Sequence, residues 1–180
     1  MDIEMPEPKE WIEDPQVVEL LEETMDHKDY LIFRELNENG RLSDTELAER
    51  VGLSRTAARR RRKKLQNDGI LEIFALLVFK KADYTYAEVH ITYSTDASQE
   101  QIEEFIRSFL NDGLVYEVAE VVGKHDLMIR VWEASLNKLN AHVREYLNDN
   151  DVVDSYTLVP ITNSYKMFHR EFYSDDIDEK

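Results

Sequence analysis

The sequence predicts an α+β protein in two parts, an N-terminal winged helix-turn-helix followed by a ferredoxin-like β-α-β-β-α-β sheet. Three observations carry this. Between Ser43 and Leu71, two short amphipathic stretches flank Gly52, the arrangement of two helices joined at a tight turn. The second stretch, Arg55 to Lys64, holds seven cations and no anion in a chain whose net charge is −16. Beyond residue 84, the spacing of apolar residues switches between two and 3.6 in the order strand, helix, strand, strand, helix, strand.

In chain order, residues 1–26 form an acidic extension. Three prolines and dense acids up to Pro15 argue against a packed element there, while Val17, Val18, Leu20, Leu21 and Met25 after it give a short amphipathic helix. This helix is either an arm packing on the next domain or on a partner subunit, or a frayed extension. Residues 27–81 form the winged helix-turn-helix and its linker. Leu31, Ile32 and Leu36 give a first helix an inward face, and Asn39 and Gly40 end it. Ser43 and Glu46 make a capping box ahead of Leu47, Ala48 and Val51, and Ser54 is placed to cap the basic third helix. Gly69 stops that helix, and Ile70 to Phe79 reads as an extended wing or linker strand.

Residues 82–170 form the second part. Ala87, Val89, Ile91 and Tyr93 alternate with polar residues as a half-buried strand, and Ile102, Phe105, Ile106, Phe109 and Leu110 follow at helical spacing. Val115–Val122 and Leu127–Trp132 make a hairpin around Gly123–Asp126; Leu136, Leu139, Val143 and Leu147 mark a helix; Val152–Val159 is the last core strand. Ser164–Phe172 adds an edge strand, and residues 171–180 are an acidic tail. Two helices on one face of one sheet leave the other face open. Val89, Ile91, Ile129 and Val131 are read as more apolar surface than two helices cover, which points to a homodimer formed through the sheet.

Charge and composition narrow the function. Residues 27–81 hold 13 bases and 8 acids, so the one basic segment of the chain contains the helix-turn-helix. A basic helix on a positive module is the footprint of phosphate binding to double-stranded DNA; the alternative is a merely solvated charged face. The acid excess elsewhere serves something other than DNA binding, and solubility at high salt is a physical candidate. It fits a halophilic archaeal source as well as ordinary acidic proteins. With no cysteine, disulfides and thiolate metal sites are excluded. No signal peptide and no long apolar run is present, so no membrane partner and a cytoplasmic location are expected. Five histidines without a metal-ligand spacing predict no metal, and no cofactor motif or paired nucleophile and base predicts an enzyme.

Three strings, MDHKDYLIFRELNENGRLSDTELAERVGLS with its Asp26 and Asp29, the closing Leu65 and Gly69, and VVGKHDLMIRV, make the chain resemble the Lrp/AsnC family of leucine-responsive, feast/famine regulators over residues 26 to about 160. The resemblance implies that the second part is a RAM domain, which forms dimers and often octamers and binds an amino-acid effector between subunits near the Gly-x-x-Asp hairpin. Arg62 departs from the family pattern, which places a branched apolar residue there. Either its stem passes the core with its head in water, or the helix sits differently. The first 25 residues and the acidic tail lie outside the pattern.

For the DNA contact, Arg55, Thr56, Arg59 and Arg60 are the groove candidates, with Lys63 on the backbone and Ser54 a further DNA-binding candidate. Ser43 and Ser54 are equally well explained as caps, and Arg61 as half of an internal ion pair. For the effector, Gly123, Lys124, His125 and Asp126 can supply amides and a carboxylate to an amino acid, with Ser155 and Thr157 as weaker candidates. Alternatively, the Gly-x-x-Asp turn only closes a hairpin. The leading function is a sequence-specific transcription regulator responding to an amino acid or related small metabolite. Alternatives are an architectural DNA-binding protein without effector, and a small-molecule-binding protein whose helix-turn-helix serves protein interaction.

Overall fold

Side-chain caps fix where the helices begin. The computed structural model describes residues 11–171, so the acidic tail beyond and the first ten residues lie outside it. The chain divides into two compact units, residues 1–76 and 77–180. In the first, α1 (Pro15–Thr24) starts at Asp14, whose carboxylate accepts the Gln16 amide. Asp26 caps α2 (His27–Glu38) in the same way, through Asp29 N–H. The expected capping box of Ser43 and Glu46 opens α3 (Asp44–Val51), and Ser54 accepts the Ala57 amide at the start of α4 (Arg55–Asn67). Between α3 and α4, Gly52 has φ +66°, a left-handed turn residue that a side chain would strain.

Helices α2, α3 and α4 close over Ile32, Leu36, Leu47, Val51 and Leu65, with Leu71 beneath them. A second small core corrects the reading of the extension. Ile12, expected in an unpacked acidic run, is 4% exposed and packs with Met25 and Tyr30. The Tyr30 hydroxyl donates to the Ile12 carbonyl at 3.1 Å, and Trp11 meets Phe33 edge to face. The sequence hides this because Trp11 and Ile12 are isolated among acids and prolines; their partners lie a helix away on α2.

Glu35 on α2 is buried and takes hydrogen bonds from Arg34 at 2.9 Å and from Arg50 of α3 at 3.1 Å. Burial raises its pKa, but the two arginines outweigh that and hold it below its ordinary 4.5. The Arg61 hydrogen bond likewise holds Asp26 below 3.8. Both folded values lie below the unfolded ones, so this stability is complete above about pH 5 and lost as pH falls through the folded values. Thermal melts of the first unit are therefore expected to weaken on acidification below pH 4.5, and Glu35→Gln to flatten that dependence.

Residues 70–78 belong to no helix or sheet, which corrects the expected wing or linker strand. A strand needs a ladder partner, and no described segment of this chain supplies one.

The second unit is the expected βαββαβ. Strands β1 (Thr85–Tyr93), β2 (Val115–Glu120), β3 (Leu127–Glu133) and β4 (Val153–Pro160) lie in the order β2-β3-β1-β4, with β1 antiparallel to both β3 and β4. Helices α5 (Gln99–Leu110) and α6 (Leu136–Leu147) cover one face, where Phe105, Phe109, Leu139 and Val143 pack on the sheet. Val89, Ile91, Ile129 and Val131 are fully covered there, so the premise that they exceed what two helices bury is corrected. Alternation sends Glu88, His90, Thr92, Met128 and Arg130 to the other face instead. At one end of that face Phe79 stacks on Trp132 at 5.3 Å and meets Tyr86 and Tyr116, sealing it with an aromatic plug. Near the C-terminus the expected edge strand is instead, among the described residues, a short hairpin of β5 (Lys166–Met167) with β6 (Arg170–Glu171), apart from the main sheet.

Candidate functional site: a nucleic-acid interface and a sheet-end hairpin

The seven cations of α4 divide by direction. At 3.6 residues per turn, Arg55, Arg59, Lys63, Thr56 and Arg60 fall within one arc of about 140°. All five are exposed. Ala58 and Leu65 lie on the opposite side and are buried, and Arg61 and Arg62 flank them.

These two flanking arginines turn inward. Arg61 Nη1 donates to Asp26 at 2.6 Å and to Asp29 at 2.8 Å, both at the start of α2, and the pairing raises the guanidinium pKa further. The internal ion pair is thus what Arg61 makes. Arg62 places Nη2 2.7 Å from Asp44 and points Nη1 at the Leu42 carbonyl, 3.5 Å away. Its side chain is 23% exposed, so the stem runs along the core while the head finds an acid at the rim. Lys64 pairs with Asp68 one turn on. Arg59 Nε stands 3.9 Å from Asp44, at the limit of an ion pair. Arg55, Arg60 and Lys63 make no ion pair with any described residue, and Ser54 spends its hydroxyl on the cap. The result is a helix whose outward arc leaves Arg55, Arg60 and Lys63 without an acidic partner among the described residues, while Arg61 and Arg62 are paired on its inner side.

In the second unit the hairpin tip is open: Val122, Gly123 and Lys124 are exposed, and Gly123 has φ +146°, a conformation suited to glycine. Asp126 is tied into the sheet end. Its amide donates to Ile91, its carbonyl accepts from Val121 and its carboxylate accepts the Tyr93 amide at 2.9 Å. The other carboxylate oxygen takes no hydrogen bond from a described residue. Burial, reinforced by Glu120 and Asp126, raises the Tyr93 phenol to about 12. His125 contacts Thr92 Oγ1 at 3.1 Å and lies against His90. The register places Ser155 opposite Thr92 and Thr157 opposite His90, so His125, Ser155 and Thr157 share the open sheet face. Asp126 instead reaches the end of β1.

Sequence reasoning missed Asp44 as a partner of two arginines, because a capping-box neighbour looks like part of the cap. It also missed the cluster of Phe79 and Tyr84 on Trp132, whose only signal is aromatic density spread between residues 79 and 132. Among the described residues no group of three or more His, Asp or Glu converges as a metal site, and no helix is long and apolar enough to cross a membrane.

Residues 25–72 match a family model described as a winged helix-turn-helix DNA-binding domain. The chain is 32% identical over 146 residues to an uncharacterized HTH-type transcriptional regulator of Pyrococcus horikoshii, covering 81% of this chain and 92% of that one. It is 30% identical to the proline dehydrogenase transcriptional activator of Rhizobium radiobacter, over 79% and 92% of the two chains. The leucine-responsive regulatory protein of Rhizobium meliloti is also 30% identical, over 73% and 85%. Among solved structures, a transcriptional regulator of Neisseria meningitidis in complex with L-Met superposes with a TM-score of 0.71 at 26% identity, over 79% of this chain and 93% of that one. An AsnC family transcriptional regulator from Agrobacterium tumefaciens gives 0.70 at 26%, over 79% and 94%. With its DNA-binding module, its βαββαβ unit and these relatives, the chain belongs to the Lrp/AsnC family of transcriptional regulators.

Proposed function

We propose that this regulator reads double-stranded DNA with the outward arc of α4, self-associates through its second unit as a homodimer or larger ring such as an octamer, and responds to an amino acid or related small metabolite. One observation carries the DNA reading: the structure sorts the cations of α4 so that Arg55, Arg60 and Lys63 stay uncompensated while Arg61 and Arg62 anchor the helix. Arg55, Thr56, Arg59 and Arg60 are the groove residues and Lys63 the backbone contact, while Ser54, whose hydroxyl caps α4, stays beside the DNA at the helix start. Affinity for duplex DNA measured across a salt series tests this, since phosphate binding must weaken as salt rises. The series includes high potassium, because the acid excess is read as adaptation to high salt. The same reading makes the chain a cytoplasmic regulator rather than an enzyme.

Self-association is supported by the open sheet face, where Arg130 sits between Glu88 and Glu117 beside exposed Tyr84 and Tyr116. Sedimentation of the full chain measures it, and a monomer at micromolar concentration overturns it.

The effector reading rests on the Asp126 oxygen beside the exposed tip that no described residue bonds, and on the L-Met complex of the Neisseria relative. A second reading, a DNA-binding protein without effector, is favoured by the bonds that tie Asp126 into the sheet. Asp126→Ala separates them. If Asp126 holds an effector ammonium, the variant is expected to lose the amino-acid response while its DNA affinity without ligand stays within about twofold, because the two sites lie in different units. DNA titrations with and without a panel of amino acids check this; no response in the wild type favours the second reading.

A further inference from the structure

We propose that Asp44 is a positioning residue that orients Arg59 for base reading, so that it sets sequence preference without itself touching DNA. This rests on the reading that the outward arc of α4 enters the groove.

Asp44 is the first residue of α3, fixed by the capping box of Ser43 and Glu46, and its side chain is only 14% exposed. Its two oxygens face two arginines: Oδ1 lies 2.7 Å from Arg62 Nη2, and Oδ2 lies 3.9 Å from Arg59 Nε. Arg62 is anchored in turn by the Leu42 carbonyl. The order of restraint therefore runs from the α2–α3 connection through Arg62 and Asp44 to a side chain on the outward arc.

Asp44 Oδ1 and Arg62 Nε are both buried and make no well-aligned hydrogen bond, whereas Arg61 donates well to both its acids. Arg61 and Arg62 thus both hold α4, Arg61 through aligned hydrogen bonds and Arg62 through its close ion pair with Asp44. Arg59 differs from its neighbours too. It is the one residue of the outward arc with an acid within ion-pair distance among the described residues, yet it remains 56% exposed and able to reach outward. At 3.9 Å the attraction is electrostatic rather than a hydrogen bond, so it narrows the choice of rotamers without consuming the donors a guanine edge would take. Arg55, Arg60 and Lys63 have no such restraint within the described residues, and of these Lys63 is the phosphate contact, which asks less of direction.

The test uses the full chain and two probes: a duplex selected from a randomised pool by the wild-type protein, and a scrambled duplex of the same composition. D44N is expected to lower the selected-to-scrambled affinity ratio about tenfold, the effect of releasing one oriented side chain. The salt slope is expected to stay at the wild-type value, because no phosphate contact is removed. In an R59A background, D44N is expected to add nothing further, whereas a merely structural role would carry its full effect into that background. R62M provides an independent arm that leaves the start of α3 intact and is expected to lower the ratio in the same way. An unchanged ratio in both D44N and R62M, or an undiminished D44N effect on R59A, overturns the proposal. Failure of the underlying groove reading has a different signature: R59A itself would bind both probes in the wild-type ratio.

Discussion

Reversing the charge of Arg60 and Lys63 together, as R60E/K63E, is expected to lower affinity for any duplex by roughly a hundredfold per protomer at 0.1 M salt. Both side chains are exposed and neither is paired with a described acid, so nothing in the fold depends on them. Each phosphate contact adds about 0.9 to the slope of log affinity against log salt concentration, so loss of the Lys63 contact flattens the slope by about one unit. The thermal melt should stay at the wild-type midpoint. Arg61→Ala should give the opposite pattern, a lowered midpoint, since it strands Asp29 without its partner at the start of α2. A double variant that keeps the wild-type slope would remove α4 from the phosphate backbone.

Ile12→Ala is expected to destabilise the first unit by about 2 to 5 kcal/mol, the cost of truncating a fully packed aliphatic side chain. Ile12 lies outside the helix-turn-helix, yet it is 4% exposed and closes the cluster with Tyr30 and Met25. Against an ordinary domain stability of about 5 to 15 kcal/mol, this loss is a large fraction of the whole. Leu20→Ala is the control: at 64% exposure it should change the melt by less than about 0.5 kcal/mol. Equal effects of the two would mean that the extension does not pack in solution as it does in the structure. The functional consequence follows from Tyr30 and Phe33, which belong to α2, the helix that also holds the acids of Arg61. An element outside the DNA-reading module thus braces the helix to which the module is anchored.

Local chemistry explains what was legible. The caps at Ser43 and Ser54, the left-handed turn at Gly52 and the alternation of β1 and β3 each depend on residues within a few positions of one another. The sequence by itself therefore determined the helix boundaries, the βαββαβ order and the basic character of α4. The tertiary structure alone decided which cations of α4 remain available, because the partners of Arg61 and Arg62, at Asp26, Asp29 and Asp44, come from other helices. It also decided that Ile12 is core, since its cover comes from α2. The same holds for Val89, Ile91, Ile129 and Val131: their spacing shows one apolar face, but only the packing of α5 and α6 shows that it is filled. Periodicity reports which side of an element is apolar or charged. What that side meets is settled by contacts between residues far apart in the chain, which no local spacing encodes.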